Sequence, residues 1–447
     1  MPFDNHPRPP RRDSWFAPLS VDLLVKVLEA TLLHPFVCWM IPLCLRARAM
    51  RWDAPPMVAW AAWAALVTLA WAAGAANRRV AYGPPREVDL GEEVIVVTGG
   101  ASGLGLLVAE VYGMRGASVA VLDVEDMENG EARGVTYYRC DVGDKQAVAR
   151  VAAEIERDLG PPTVLVNNAA VVVGKTLLNL TLDEIDASLS TNLLGPFYCL
   201  KAFLPAMIRG GRGGTIVNVS SVIGHLGAAQ LTDYAAAKAG LTALHRSLTA
   251  ELRQTHPGIR TVLVTPGQLS TPLFHGVQTP SRFLAPVVEP VDVARDLIAA
   301  IDGGQGAAVG MPLYARWVDW YNVLPAGVQV MARAVSGVDE GMRTFIGRRG
   351  MEADAKGKRT RTGGLQVTLD GGGSWSDLAR QDATLPTDAN VPSDAKPEGS
   401  SGMFGGDMSD PSWRTQGHLV DEVASIRFRR GQGRRYDGSR HMVLRLR

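Results

Sequence analysis

The chain has 447 residues and a formal net charge of +1, with 46 lysines and arginines against 45 acids. That length allows two or three domains, and the balanced charge excludes a globally basic nucleic-acid surface, so no nucleic-acid partner is expected. Four cysteines, Cys38, Cys44, Cys140 and Cys199, fall at no metal-ligand spacing and make no disulfide framework, which predicts a reducing compartment and no metal site.

Residues 1–85 are expected to form a membrane-anchoring region, because two apolar stretches precede any globular pattern. Residues 57–76 hold twenty positions without a charge, including Trp60, Trp63 and Trp71, about what a helix needs to cross a bilayer core. The alternative is a buried alanine-rich helix. Arg46, Arg48 and Arg51 lie before this segment, and Arg78 and Arg79 follow it, so charge does not set its orientation. Residues 19–45 are interrupted by Asp22, Lys26, Glu29 and His34, and Pro35 and Pro42 are expected to kink any helix there. They read as an interfacial helix or as one arm of a hairpin. A cleavable signal peptide is not expected, since the clean apolar segment begins only at Met57.

From Val94 the pattern changes to alternating strand, turn and helix. The run VIVVTGGASGLGLLVAEVYGMRG carries a β-branched strand over 94–97, a loop with Gly99, Ser102, Gly103, Leu104 and Gly105, then an amphipathic helix. Glycines at such a junction let the backbone approach a pyrophosphate and aim a helix N-terminus at it. The next strand, 117–122, ends at Asp123, 24 residues beyond Gly99. A carboxylate there accepts from adenosine ribose hydroxyls and repels a 2′-phosphate. No arginine or lysine stands beside Asp123 in the sequence, so NAD is expected as cofactor over NADP.

Residues 135–139 read as a third strand, with Asp141 and Val142 placed to border an adenine ring. A helix over 145–159 leads to strand 164–166 and to Asn167 and Asn168, whose amides can tie the loop to its neighbour and approach the cofactor. The helix expected over 182–207 contains Asn192, a poor helix former. Asn192 therefore marks a local kink with a bound water, or is merely tolerated. Strand 260–264 ends in PGQLSTP, a turn able to cover a nicotinamide through Leu269 and Thr271. The alternation predicts an α/β fold over residues 86–311, a Rossmann-type doubly wound parallel sheet with ligands at the strands' carboxyl ends.

Residues 214–238, GTIVNVSSVIGHLGAAQLTDYAAAK, hold the strongest chemical signal. A buried strand ends in Ser220 and Ser221, a glycine-punctuated loop follows, and a helix then places Tyr234 and Lys238 one turn apart on one face. An ammonium near a phenol favours the phenolate and brings its pKa down from about 10, which makes a usable proton-transfer group. Taken alone, a tyrosine and a lysine four apart describe an ordinary amphipathic helix.

Together these residues resemble the classical short-chain dehydrogenase/reductase family. The resemblance covers residues 94–311 and rests on TGGASGLG, CDV at 140–142, NNAA at 167–170, Asn192, Ser221, YAAAK and PGQLST, with thirteen positions from Ser221 to Tyr234. It implies that Tyr234 is the general acid/base, that Lys238 lowers its pKa and binds the nicotinamide ribose, that Ser221 holds the substrate oxygen, and that Asn192 holds the water of a proton relay. Ala170 departs from the glycine usual there. KAFLPAM at 201–207, VEPVDVA at 288–294 and the segment 317–335 are similar to the membrane- and lipid-droplet-associated branch of retinol dehydrogenases and 17β-hydroxysteroid dehydrogenases of types 11 and 13.

Residues 312–346 form an aromatic-rich amphipathic extension that reads as a lid over a greasy substrate, a membrane-surface element or a helix packed on the domain's own core. Residues 347–447 are rich in Gly, Ser, Asp, Thr and Pro and are expected to be disordered, ending in a basic stretch. The expected function is a membrane-associated oxidoreductase interconverting a lipophilic alcohol (retinoid, steroid or fatty alcohol) and its carbonyl with NAD. The competing readings are an NADPH-dependent keto-lipid reductase and a catalytically idle lipid-droplet or membrane scaffold. The expected partners are a lipophilic small molecule, a membrane or lipid-droplet surface and a second copy in a homodimer. The expected location is the endoplasmic reticulum or lipid droplet, with the catalytic domain facing the cytosol.

Overall fold

The first breaks in the chain fall where backbone chemistry puts them. Ser20 caps α1 (Val21–Ala30) by accepting from the Leu23 amide, and Pro35 opens α2 (Pro35–Ala47) at a position where its missing N–H is harmless. The bend of 53° lies between these two helices, with Pro35 at the start of the second, while α2 runs on through Pro42. By length and composition, α3 (Pro55–Tyr82) can cross a membrane. Cys38 of α2 packs with Ala64 and Val67 of α3, and the indoles of Trp39 and Trp63 donate to Thr68 Oγ1 (3.0 Å) and the Leu32 carbonyl (2.9 Å). Only 17% of the apolar window of α3 is buried, so it is not a core helix. The structure is a computed structural model and describes residues 19–130, 132–279, 281 and 283–347, with the backbone of 367–368 and 427–428.

Seven apolar, largely β-branched runs then form one sheet: β1 (Val94–Thr98), β2 (Ser118–Asp123), β3 (Val135–Arg139), β4 (Val164–Asn167), β5 (Gly214–Val219), β6 (Ile259–Pro266) and β7 (Ala307–Met311). Their order is β3-β2-β1-β4-β5-β6-β7, and every pairing is parallel. Parallel strands need crossover helices, which cover both faces and leave the strands buried on two sides. Alternate side chains therefore enter different layers. Ile95 and Val97 of β1, with Val217 and Val219 of β5, pack towards α4 (Gly103–Met114) and α10 (Pro290–Asp302). Val96 and Ile216 pack towards α5 (Lys145–Asp158), α7 (Gly195–Gly210) and α9 (Thr232–Thr255). This is the predicted doubly wound sheet, and its order reverses between β1 and β4, where a crevice opens at the carboxyl ends.

The segment predicted as one helix over 182–207 is two helices, α6 (Leu182–Leu189) and α7, joined by a π-helical turn at Ser190–Leu194. Beyond β7, short 3-10 turns at Leu313–Arg316 and Val318–Val323 lead to α11 (Ala326–Ser336). Ala315 and Val318 pack against Val222, whereas Trp317, Trp320 and Val323 are exposed and no residue of α11 is buried. The extension thus has one face on the domain's own core and one face free. Apart from Gly347 and a two-residue ladder of Val367–Thr368 with Arg427–Phe428, the tail predicted to be disordered lies outside the described residues.

A buried ion pair ties the amino ends of three strands together. Arg86 contacts both carboxylate oxygens of Glu93 (2.7 and 3.0 Å) and donates from Nε to Thr215 Oγ1 on β5 (3.2 Å). The Thr163 hydroxyl donates to Glu93 and accepts from the Val94 amide, so β1 and β4 share the same carboxylate. Removing one partner of such a pair strands the other charge. Arg86→Met is expected to destabilise the protein by about 3–5 kcal/mol, read as a lower denaturation midpoint. An unchanged midpoint would mean that Thr163 alone compensates Glu93.

Candidate active site

The crevice between β1 and β4 is built from backbone brought unusually close. Gly105, one turn into α4, has no room for a side chain: an added Cβ would lie 2.3 Å from the Gly99 carbonyl and 2.6 Å from Asn168 Nδ2. Asn168 donates to the carbonyls of Thr98 (3.2 Å) and Gly99 (2.9 Å), and the Thr98 hydroxyl accepts from the amides of Asn168 and Ala169. These bonds hold the 98–105 loop against the end of β4. Ser102 is the N-cap residue of α4 and Gly103 its first residue, with Leu104 turned into the core. Across the loop stands Thr271, whose methyl would be 3.5 Å from a Cβ on Gly103. Leu269 is buried in the core, and its backbone bridges to Val288.

At the other end of the loop, Asp123 closes β2. Its carboxylate accepts from the amides of Ala101 (3.0 Å), Val124 (2.8 Å) and Glu125 (3.2 Å), which takes three of its roughly four acceptor sites. The charge remains at the mouth of the crevice, and Glu125 and Asp126 add to it. One neighbour was invisible in the sequence: Arg139 on β3 is the register partner of Asp123. Asp141 turns back to accept from the Gly143 amide (2.8 Å), and Val142 is buried against Gly195. A glycine loop at a helix N-terminus, with an acid at the end of the next strand, fits a dinucleotide.

The second half of the site lies across β5. Asn192 sits in the π turn, fully buried, and its side chain donates to the carbonyls of Val171 and Ser188 (both 2.9 Å) and accepts from the Val171 amide (3.1 Å). The first of the two readings joined a local kink to a bound water; the structure shows the distortion, a π turn in which the Asn192 amide engages backbone of the 171 loop. Ser221 follows β5, with its Oγ accepting from the Ile223 amide (3.2 Å). Tyr234 and Lys238 project from one face of α9, the lysine Nζ 5.6 Å from the tyrosine ring centroid. That ammonium donates to the Val219 carbonyl (2.8 Å).

Burial dominates the electrostatics. Tyr234 is 3% exposed and Lys238 2%. Desolvation pushes the Tyr234 phenol well above its ordinary range, and a hydrogen bond with Ser221 only partly offsets this. Desolvation also brings Lys238 down to about 8. The direction is opposite to the depression expected from the sequence: loss of water raises the phenol by more than the Ser221 hydrogen bond lowers it.

What excludes that water was not read from the sequence. Met342 is buried in one cluster with Leu231 and Tyr234, against which Val172, Ile223, Ala228, Phe274, Val277 and Phe345 pack. Phe274 meets Tyr234 edge to face, with ring centroids 6.2 Å apart. Met342 and Phe345 sit in no local motif, and only the general reading of 312–346 as a lid pointed towards them.

A family model described as short chain dehydrogenase matches residues 93–281. An uncharacterized oxidoreductase of Saccharomyces cerevisiae is 33% identical over 254 residues, covering 55% of this chain and 82% of the relative. Short-chain dehydrogenase/reductase 3 of Homo sapiens is 33% identical over 274 residues, covering 59% and 90%. Epidermal retinol dehydrogenase 2 of Mus musculus is 31% identical over 268 residues, covering 58% and 86%.

The buried lysine predicts a pH dependence with a definite sign. Below about 8 Lys238 is protonated in folded and unfolded chains alike; between there and its ordinary 10.5 the unfolded chain binds the extra proton. Stability then rises with pH across that window. The denaturation midpoint of the cofactor-free protein, taken relative to Lys238→Met, is expected to climb from pH 8 upward. A flat difference would show that Lys238 is not desolvated.

Proposed function

This chain belongs to the short-chain dehydrogenase/reductase family, in its retinol dehydrogenase branch, and from that premise we propose that it interconverts a lipophilic alcohol and its carbonyl using NAD. The observation that carries the reading is the convergence of Ser221, Tyr234 and Lys238 at the carboxyl end of β5, beside a glycine loop shaped for a dinucleotide. When bound, the nicotinamide supplies a hydride acceptor or donor for the substrate carbon. Ser221 orients the substrate oxygen. The phenol of Tyr234 exchanges the hydroxyl proton, taking it in oxidation and returning it in reduction. Lys238 stabilises the phenolate once water or substrate enters, and holds the nicotinamide ribose. Asn192 fixes the 171 loop and holds the water through which the proton reaches solvent. Gly99, Ser102, Gly103, Gly105 and the backbone of Leu104 would line the pyrophosphate, Asp123 the adenosine ribose, Asp141 and Val142 the adenine, and Asn168, Thr271 and the backbone of Leu269 the nicotinamide end.

The acidic mouth formed by Asp123, Glu125 and Asp126 supports NAD, while Arg139 on the adjacent strand favours a second reading in which NADP is accepted. A membrane location is supported by α3 and by the exposed Phe36, Leu66, Leu69 and Trp71 on α2 and α3. Four unpaired cysteines agree with a catalytic domain on the cytosolic side of the endoplasmic reticulum or a lipid droplet.

Tyr234→Phe is expected to lower kcat on a responsive lipophilic alcohol by about 100-fold or more with NAD affinity unchanged; full turnover in this variant would refute Tyr234 as the acid/base, whereas no turnover of any lipophilic alcohol by the unaltered protein, together with an intact cellular phenotype in the variant, would favour an idle scaffold. NAD is expected to exceed NADP in kcat/KM by about tenfold, and the reverse order would refute the NAD assignment and direct attention to Arg139. Deleting residues 1–80 is expected to move the protein to the soluble fraction. Continued sedimentation would place the membrane contact on the 312–346 extension or on the basic tail.

A further inference from the structure

Tyr234 is 3% exposed, and two side chains of residues 338–347, Met342 and Phe345, belong to the apolar cluster packed around it. The grip of this segment is specific. Thr344 Oγ1 donates to the Gly276 carbonyl (2.6 Å), the Ile346 and Gly347 amides donate to the His275 carbonyl (3.0 and 3.1 Å), and the Gln278 amide donates to the Gly341 carbonyl (3.0 Å). On the other side, Asp339 accepts from the Ala229 amide (3.2 Å) in the loop between Ser221 and Tyr234, and Arg333 bridges Asp339 to the Leu226 carbonyl (2.7 Å).

The seat is built for these residues. A Cβ on Gly174 would fall 2.2 Å from the Phe345 ring, and one on Gly276 2.3 Å from the Thr344 carbonyl. Both glycines have φ near +70 to +90° (+73° and +88°), so a side chain is refused there on two counts. Yet none of the hydrogen bonds given above goes to the central sheet. They run to the 275–278 turn and the 226–229 loop, so the segment can leave without breaking a strand.

We propose that residues 338–347 form a lid that the substrate displaces, and that Met342 and Phe345, which occupy the approach to Tyr234, are the side chains that determine which lipophilic alcohols this site accepts. The proposal rests on the reading of Tyr234 as the group the alcohol must reach. Displacement replaces a thioether and a phenyl ring by the apolar body of the substrate, so the enclosure is restored around a ligand of matching width. Burial of the phenol, in the cluster to which these two side chains belong, also raises its pKa.

Native-state amide exchange on the full chain tests the lid without any substrate. The amides of Ala229, Gln278 and Ile346, bonded to or within the lid, are expected to exchange through a local opening, well ahead of sheet-end amides such as Gly99 and Ser220. Exchange of both sets together, only on global unfolding, would overturn the lid. For specificity, Met342→Ala and Phe345→Ala are assayed with NAD on apolar alcohols graded in width. The variants should raise kcat/KM for the widest alcohol by about tenfold relative to the narrowest, with NAD affinity unchanged. A uniform change across the panel would refute the specificity role. If Tyr234→Phe keeps full turnover, the reading of the site fails, while the exchange result still decides whether the lid opens.

Discussion

The position of the Lys238 ammonium is the constraint on which this site depends. A protonated amine brings three donors into a nearly dry place, and the hydrogen bond described for its Nζ goes to one backbone carbonyl, that of Val219. Such a group loses much of its hydration, which is why its pKa falls. Its seat is held from both sides. The strand β5 presents the carbonyl at its carboxyl end. The adjacent Ser220 hydroxyl donates to the Lys238 carbonyl (3.0 Å) and shares a hydrogen bond with Thr242 Oγ1 (2.8 Å), which fastens α9 to the strand. Once α9 is fixed in this rotation, Tyr234 one turn earlier has little freedom over where its hydroxyl points.

The two buried groups pull away from ionisation in opposite senses. The phenol moves up and the amine moves down, so the closed site favours neutral partners. The cover over the pair is therefore part of its electrostatics. Its apolar side chains are contributed by Met342 and Phe345, while its hydrogen bonds stay at the rim, on the 275–278 turn and the loop before α9. That division lets the seal be tight where the chemistry is and weakly tied to the sheet.

The central strands were legible because parallel strands buried on both faces read as continuous apolar, β-branched-rich runs, and residues 94–97 and 164–166 match β1 and β4 to within a residue. Ser221, Tyr234 and Lys238 were legible because strand, loop and helix follow one another locally, so sequence spacing translates into distance. Where contact depends on the chain returning from afar, the sequence was silent. Arg139 is sixteen positions from Asp123 in sequence but beside it in register. The π turn arises because Asn192 answers backbone groups of Val171, which no helical propensity encodes. Met342 and Phe345 lie more than a hundred residues past Tyr234, and their role follows only from a cavity left by Gly174 on a different loop. The helix α10 and strand β7 entered the sequence reading only through VEPVDVA and the end of the domain at Met311, although their patterns are ordinary.

The helix α1 meets the start of the C-terminal extension, and this gives the apolar extension a direction. Asp22 of α1 accepts from the Leu313 amide (2.6 Å), and the Val21 amide donates to the Phe283 carbonyl (3.1 Å). The N-terminal helices are thus coupled by hydrogen bonds to the start of the segment whose far end covers Tyr234. Between those points the extension leaves Trp317, Trp320, Val323, Val330, Met331 and Val335 exposed. An apolar surface of that kind is unfavourable in water and favourable against lipid. On the proposed function the same property suits the substrate: a poorly soluble alcohol partitions into a lipid phase, and a lid carried by a segment that also prefers that phase opens where the alcohol is concentrated.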